Sequence, residues 1–323
     1  MFAAAVASGC GSDGGSLTIY SGRTQSLVEP LLEQFSADTA IEIRVRYGDT
    51  AELAATILEE GDNSPADVFF AQDAGALGSL VVEDRLTAIP TPYLGHVPEA
   101  FRSPDGLWVG LSGRARTVAY NTDAVSEADL PDSILDFTDA KWKGRIGWAP
   151  TNGSFQAFVT GLLLLEGEDT AREWLEGMKA NDPTDYPSND AVVDAVGNGE
   201  VDVGFVNHYY VLRFIDERGE DFPVRNYYLG GGDAGSLVNV AGLGVLDTAD
   251  NQSDVEKFID YMLSPAAQQY FADETFEYPL IEGVEATAGL TPLGELEPPN
   301  IDLSDLADLR GTLDLLRETG VLP

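Results

Sequence analysis

The sequence predicts an α/β protein of two lobes, each a mainly parallel sheet flanked by helices, with a hinge between the lobes. Three observations predict it. The chain has 323 residues, more than one simple core needs. Two stretches, one starting at residue 17 and one near 145, alternate short apolar strands with helix-period segments, the pattern of parallel sheets covered by helices. Extended runs near 107–121 and 236–246 suit a chain that passes between the lobes more than once.

Residues 17–20 read as a buried strand. Residues 25–38 carry Leu27, Val28, Leu31, Leu32 and Phe35 at helical spacing, and 41–47 alternate like a half-buried strand. Asp49 and Glu52 form a capping-box pattern ahead of a helix at 50–60 that stops at Gly61. A strand at 68–70 and a helix at 74–82 complete the first series. The second series has a strand at 146–148, helices at 153–165, 170–180 and 189–197, a strand at 201–206 and a helix at 208–218. Strands recur at 224–229 and 236–246, and helices at 253–263, 265–273 and 303–318 close the chain. Crossings near 113–116 and 238–241 place 17–113 with 240–290 in one lobe and 114–239 with 291–323 in the other. A small-ligand site is expected in the cleft between them.

Fifty-five acidic side chains against eighteen Lys and Arg give a net charge of −37. A nucleic-acid partner is disfavoured, because like charge repels a phosphate backbone. A cation sink and a solvated acidic surface suited to salt both fit. The acids are spread along the chain, which favours the second.

One cysteine, Cys10, leaves no internal disulfide. It ends Ala7-Ser8-Gly9-Cys10, after a short apolar run, and polar residues follow to Ser16. This resembles a bacterial-type lipobox. It implies cleavage before Cys10, lipidation of that residue, and 1–16 as a leader remnant and flexible tether. The apolar run is short and no basic segment precedes it, so the natural start is expected upstream; a stray cysteine in a disordered terminus is the alternative. No run of about eighteen apolar residues could span a membrane.

The sharpest local pattern is Asn207-His208-Tyr209-Tyr210, where a strand passes into a helix. Phenolates are hard oxygen donors that suit a hard cation such as ferric iron. Taken alone, these residues more commonly form a packed or interfacial aromatic pair. Tyr227 and Tyr228 fall in a strand, where neighbours point to opposite faces, and are expected to be structural. The turn Asn152-Gly153-Ser154 opens a helix and suits either an anion or an ordinary cap. Ser21-Gly22-Arg23-Thr24 follows the carboxyl end of the first strand, where α/β sheets bind ligands. Enzyme signals are poor. His96 and His208 lie far apart, the nucleophile-elbow and phosphate-loop motifs are absent, and Gly230-Gly231-Gly232-Asp233 lacks dinucleotide-binding spacing.

From residue 17 to the C-terminus the chain resembles the periplasmic ferric-ion-binding proteins of ABC iron importers, in the type II solute-binding group. The resemblance rests on Ile19-Tyr20-Ser21-Gly22-Arg23, Tyr47-Gly48-Asp49, Ser64-Pro65-Ala66-Asp67-Val68-Phe69, Ser112-Gly113-Arg114-Ala115-Arg116, Asn207-His208-Tyr209-Tyr210, Asp233-Ala234-Gly235-Ser236-Leu237 and Glu277-Tyr278-Pro279-Leu280. It implies a type II periplasmic-binding-protein-like fold and an iron carrier that is not an enzyme. Tyr209 and Tyr210 would supply two phenolates. A phosphate or carbonate would share the metal, held by Asn152, Gly153, Ser154, Asn189 and Asn207, with Arg23, Arg114 and Arg116 as cleft cations. Thr24, Gln72 and Phe155 stand where other members place a histidine, a glutamate and a third tyrosine, so Gln72, the anion and water would complete the coordination. The implied setting is an extracytoplasmic, lipid-anchored monomer that serves an ABC permease and its ATPase. A carrier of the same fold for an organic anion or an iron chelate, and a secreted hydrolase, are the rival readings.

Overall fold

The computed structural model describes residues 16–287 and 289–323. Cys10 and nearly all of the expected tether lie outside the described residues.

In the first lobe β1 (Ser16–Ser21) pairs in parallel with β2 (Glu42–Tyr47), Leu17 opposite Ile43, and with β3 (Val68–Ala71), Ile19 opposite Val68. The crossovers are α1 (Gln25–Thr39) and α2 (Thr50–Glu60), and α3 (Ala74–Val82) follows β3. The buried residues of α1 are Val28, Leu31, Leu32 and Phe35, one apolar stripe at 3.6-residue period. Asp49 caps α2: its carboxylate accepts from the N–H groups of Ala51 and Glu52 at 2.9 and 3.3 Å. The short β4 (Leu86–Thr87) and α4 (Thr91–Leu94) lead to β5 (Trp108–Asn121), whose 14 residues are all buried.

The second lobe repeats the plan with β6 (Ile146–Trp148), β7 (Thr184–Asp185) and β8 (Val203–Asn207) in parallel. Its helices are α5 (Gly153–Ala180), α6 (Asn189–Gly197) and α7 (His208–Arg218). The helices expected at 153–165 and 170–180 are two arms of α5, kinked at Gly167 with φ 81°. Neighbours in β8 face opposite sides: Phe205 packs with Phe137 and Trp174, Val206 with Val193 and Val211. β9 (Val224–Tyr227) ends two residues before the expected 229. Then come β10 (Val238–Leu246), α8 (Gln252–Met262), α9 (Pro265–Thr275), β11 (Tyr278–Pro279) and α10 (Leu309–Glu318).

The main strand order is β2-β1-β3-β10-β5-β8-β6-β7. β5 belongs to both halves. Its first part runs antiparallel to β10, with Arg114 opposite Asn239 and Ala115 opposite Val238. Its second part runs antiparallel to β8 and β9, with Arg116 opposite Asn207 and Val118 opposite Tyr227. Two long antiparallel strands therefore join two otherwise parallel half-sheets, and the core divides around Ala115 and Val118.

The tail corrects two expectations. The helix expected at 303–318 is interrupted: a 3₁₀ turn at Leu303–Ala307 precedes α10, with Asp308 at φ −77° and ψ 62° between them. The whole of 291–323 was expected in the second lobe, but Leu303 and Leu306 lie in the first core and only Leu315, Leu316 and Val321 in the second. The cause is the face of α3. Cβ atoms at Gly75 and Gly78 would stand 2.5 and 2.2 Å from the carbonyl oxygens of Leu306 and Ser304, so only glycine lets the tail lie there.

Candidate metal and anion site

β8 passes into α7 without a spacer, and the side chain of Asn207 makes no cap bond to the helix. Tyr209 and Tyr210 thus occupy the first turn of α7, their ring centroids 4.4 Å apart and their planes at 34°. They line a cavity of about 270 Å³ with Asp190 and Arg213 of the second lobe and Arg23, Gln72 and Glu277 of the first. Tyr209 is 7% exposed. Burial pushes the Tyr210 hydroxyl above the ordinary phenol range, and the neighbouring Tyr209 pushes it further, while a hydrogen bond from Asn189 works the other way. A cation that takes the Tyr210 oxygen must displace a proton held more firmly than in water.

A second compartment of about 550 Å³ lies beside the first and shares Gln72 with it. Arg114, Asn152, Gly153 and Ser154 line it, with Asp73 and Asn239. A buried polar network joins this compartment to the tyrosines. Asn189 donates to Asn152 Oδ1 at 3.1 Å and to Ser154 Oγ at 3.0 Å. Arg116 Nη1 donates to Ser154 Oγ at 3.3 Å and to Asn207 Oδ1 at 3.2 Å. Asn207 Nδ2 lies 3.5 Å from the Tyr209 hydroxyl, at the outer limit of a hydrogen bond. Asn189 Oδ1 is buried without a partner among the described residues.

The three arginines differ in what neutralises them. Arg23 donates from Nη2 to both oxygens of Glu277 at 2.8 and 2.9 Å, and both side chains are 3% exposed. Ser112 Oγ donates to Glu277 at 2.5 Å. Burial pushes the Glu277 carboxyl up, but Arg23, Arg114 and Ser112 outweigh it and hold it below the usual glutamate range. Arg114 donates to the Gln72 carbonyl and feels the charges of Glu277 and Asp73. Burial would push its guanidinium down, yet the surrounding acidic groups, Tyr209 first, raise it. Arg116 pairs with no carboxylate among the described residues, and burial pushes it down to about 10 against the pull of Tyr209 and Tyr210. A buried guanidinium held by polar Asn and Ser side chains, with no carboxylate on it among the described residues, is complementary to a small anion.

The structure thus brings Tyr209, Tyr210, Gln72 and Arg23 to one compartment, Arg114 and the 152–154 turn to the next, and Asn189, Asn207 and Arg116 between them. Phe155 does not face the cleft: it is fully buried, packed edge-on to Trp148 at 5.4 Å. Tyr227 packs on the second core and Tyr228 on the first. Asp190, Arg213 and Glu277 are site residues that sequence reasoning missed. Glu277 stood inside a recognised stretch, but its partner Arg23 is 254 positions away and nothing local marks the pair. His208 is fully buried, and burial pushes its imidazole down to about 4, a neutral ring. Among the described residues no three His, Cys, Asp or Glu side chains gather as a metal site.

Residues 31–298 match the family described as bacterial extracellular solute-binding protein. The Fe(3+)-binding periplasmic protein of Serratia marcescens is 34% identical over 311 residues, spanning 95% of this chain and 90% of that protein. The structure of iron-bound HitA from Pseudomonas aeruginosa superposes with a TM-score of 0.87 at 34% identity, covering 94% of this chain and 99% of that one. The Trichodesmium protein FutA, in complex with iron and citrate ligands, gives 0.84 at 30% identity over 95% of this chain and 99% of that one.

Proposed function

The chain belongs to the bacterial extracellular solute-binding proteins, and from that premise we propose that it captures ferric iron together with a small anion outside the cytoplasm. The observation that carries the reading is the pair of adjacent phenols, from the second lobe, lining a cavity whose other wall is Arg23, Gln72 and Glu277 of the first. Tyr209 and Tyr210 serve as phenolate ligands. Gln72, the anion and water supply the remaining oxygens. The anion, phosphate or carbonate, is held by Arg116 with Asn189, Asn207 and the 152–154 turn, and Arg114 adds charge from the second compartment. Arg23 acts through its pair with Glu277 and shapes the first-lobe wall.

Ligand that touches both walls favours the closed arrangement over the open one by its differential contacts, and β5 and β10 are the strands about which the lobes turn. The closed form delivers iron to an ABC permease powered by a separate ATPase, with binding and release as the whole of the chemistry. The protein works as a monomer in the periplasm or at the outer face of the membrane, held there by lipid on Cys10.

A second reading keeps the iron and changes the anion. The adjoining compartment of about 550 Å³ is roomier than carbonate or phosphate requires, and a relative was solved with citrate. Ferric titration of the chain, followed by the visible phenolate-to-iron charge-transfer band, tests both. The band must appear in the wild type and vanish in a Tyr209→Phe/Tyr210→Phe variant. Its midpoint in phosphate, carbonate or citrate names the anion. A colourless, unresponsive wild type refutes the iron reading.

A further inference from the structure

The first turn of α7 carries both phenols, yet it lacks the side-chain cap that usually fixes a helix start. The residue ahead of the pair takes over that task. His208 is fully buried, and both ring nitrogens are used. Nδ1 accepts from the Ala115 N–H at 3.1 Å, which leaves the proton on Nε2, and Nε2 donates to the Phe276 carbonyl at 2.8 Å. The ring packs on Tyr278 with centroids 4.6 Å apart and planes tilted by 34°, and meets Tyr209 edge-on at 5.6 Å and 84°. The carbonyl of His208 accepts from Asn226 at 3.0 Å, and Thr117 donates to the Asn226 side chain at 2.9 Å.

These partners sit where the lobes meet. Ala115 lies opposite Val238 in the crossing, and Ala115 and Tyr278 belong to the first core, although α7 is a second-lobe helix. Phe276 supports the same assignment. It ends α9 in the left-handed region with φ 58°, a conformation that is costly for a bulky residue and persists where the surroundings enforce it. The carbonyl so presented receives His208, and the next residue, Glu277, holds Arg23 on the opposite wall of the iron cavity.

We propose that His208 is a positioning residue for the tyrosine pair: its two ring nitrogens pin the first turn of α7 to the crossing strand and to the first lobe, so the phenols meet the metal already aligned with the Arg23–Glu277 wall. This rests on the iron reading above, and it adds the residue that presets the geometry. Preset donors bind without the cost of being ordered by the ligand.

The test uses the full chain and three variants. His208→Asn keeps an acceptor where Nδ1 stands, His208→Gln keeps a donor where Nε2 stands, and His208→Leu keeps neither. Each is titrated with ferric iron in phosphate while the charge-transfer band is followed, and each gives a thermal melt and an ultraviolet tyrosine spectrum without iron. The leucine variant should bind iron about tenfold or more weakly, with a displaced band, from the loss of two oriented hydrogen bonds. The asparagine and glutamine variants should fall between it and the wild type. Folded variants with wild-type affinity and an unmoved band overturn the proposal, even where the melting temperature drops, because that is the behaviour of a merely structural histidine. Should the leucine variant fail to fold, the other two decide by the same criterion. A wild type with no band defeats the iron reading alone, and the positioning role then stands or falls on whether the variants alter the ultraviolet tyrosine spectrum.

Discussion

Replacing Glu277 with Gln tests the electrostatics of the cleft most sharply. The substitution keeps the shape of the side chain and removes one buried charge. Arg23 then keeps its own buried charge, 3% exposed, with an amide where two carboxylate oxygens stood at 2.8 and 2.9 Å. Breaking a buried ion pair from one side costs about 3–5 kcal/mol, and because the amide still accepts one hydrogen bond the lower end, about 3 kcal/mol, is expected. Urea unfolding at neutral pH measures it. The pH dependence gives a second, independent mark. The folded carboxyl of Glu277 is held below its ordinary value, so its stabilising contribution is full above the unfolded value and is lost as pH falls through the folded one. The gap between wild type and variant should therefore narrow once pH drops below about 4.3. A neutral-pH loss under about 1 kcal/mol, the range of solvated surface pairs, would refute the buried pairing. A gap that stays constant with pH would do the same.

Three further outcomes follow from the same contacts. Gly78→Ala places a methyl carbon 2.2 Å from the Ser304 carbonyl and should cost about 1–3 kcal/mol, read as a lower melting temperature with the tail displaced from α3. Arg116→Met removes a buried guanidinium that has no carboxylate partner among the described residues, so folding stability should hold or rise while the phosphate dependence of iron binding weakens by about tenfold or more; unchanged phosphate dependence rules out Arg116 as the anion holder. Iron binding must displace protons from Tyr209 and Tyr210, so affinity should fall with pH by up to about a hundredfold per unit, and the Tyr210→Phe variant should show about half that slope on a logarithmic scale.

Where information is local, the sequence was enough. The 3.6-residue stripe of α1 and the Asp49 cap of α2 each depend on residues a few positions apart, and each formed as read. The tandem tyrosines could be singled out for their donor chemistry, since phenol oxygens are uncommon hard donors and two stood together at a strand end. Position along a helix start does not reveal which side faces the cleft, and the Phe155 ring joins Trp148 and Phe158 in the core.

Residue order alone determined that two βα series would form and that a pair of phenols would open α7. Tertiary structure alone decided that Glu277 neutralises Arg23 while Arg116 keeps its charge, that His208 ties α7 to Ala115 and Phe276, and that the tail divides between the two cores at Asp308. The division has a physical cause. Helix and strand periods, caps and turns are set by neighbours along the chain. Charge pairing, desolvation and close backbone approach depend on distances between residues that only the folded chain brings together.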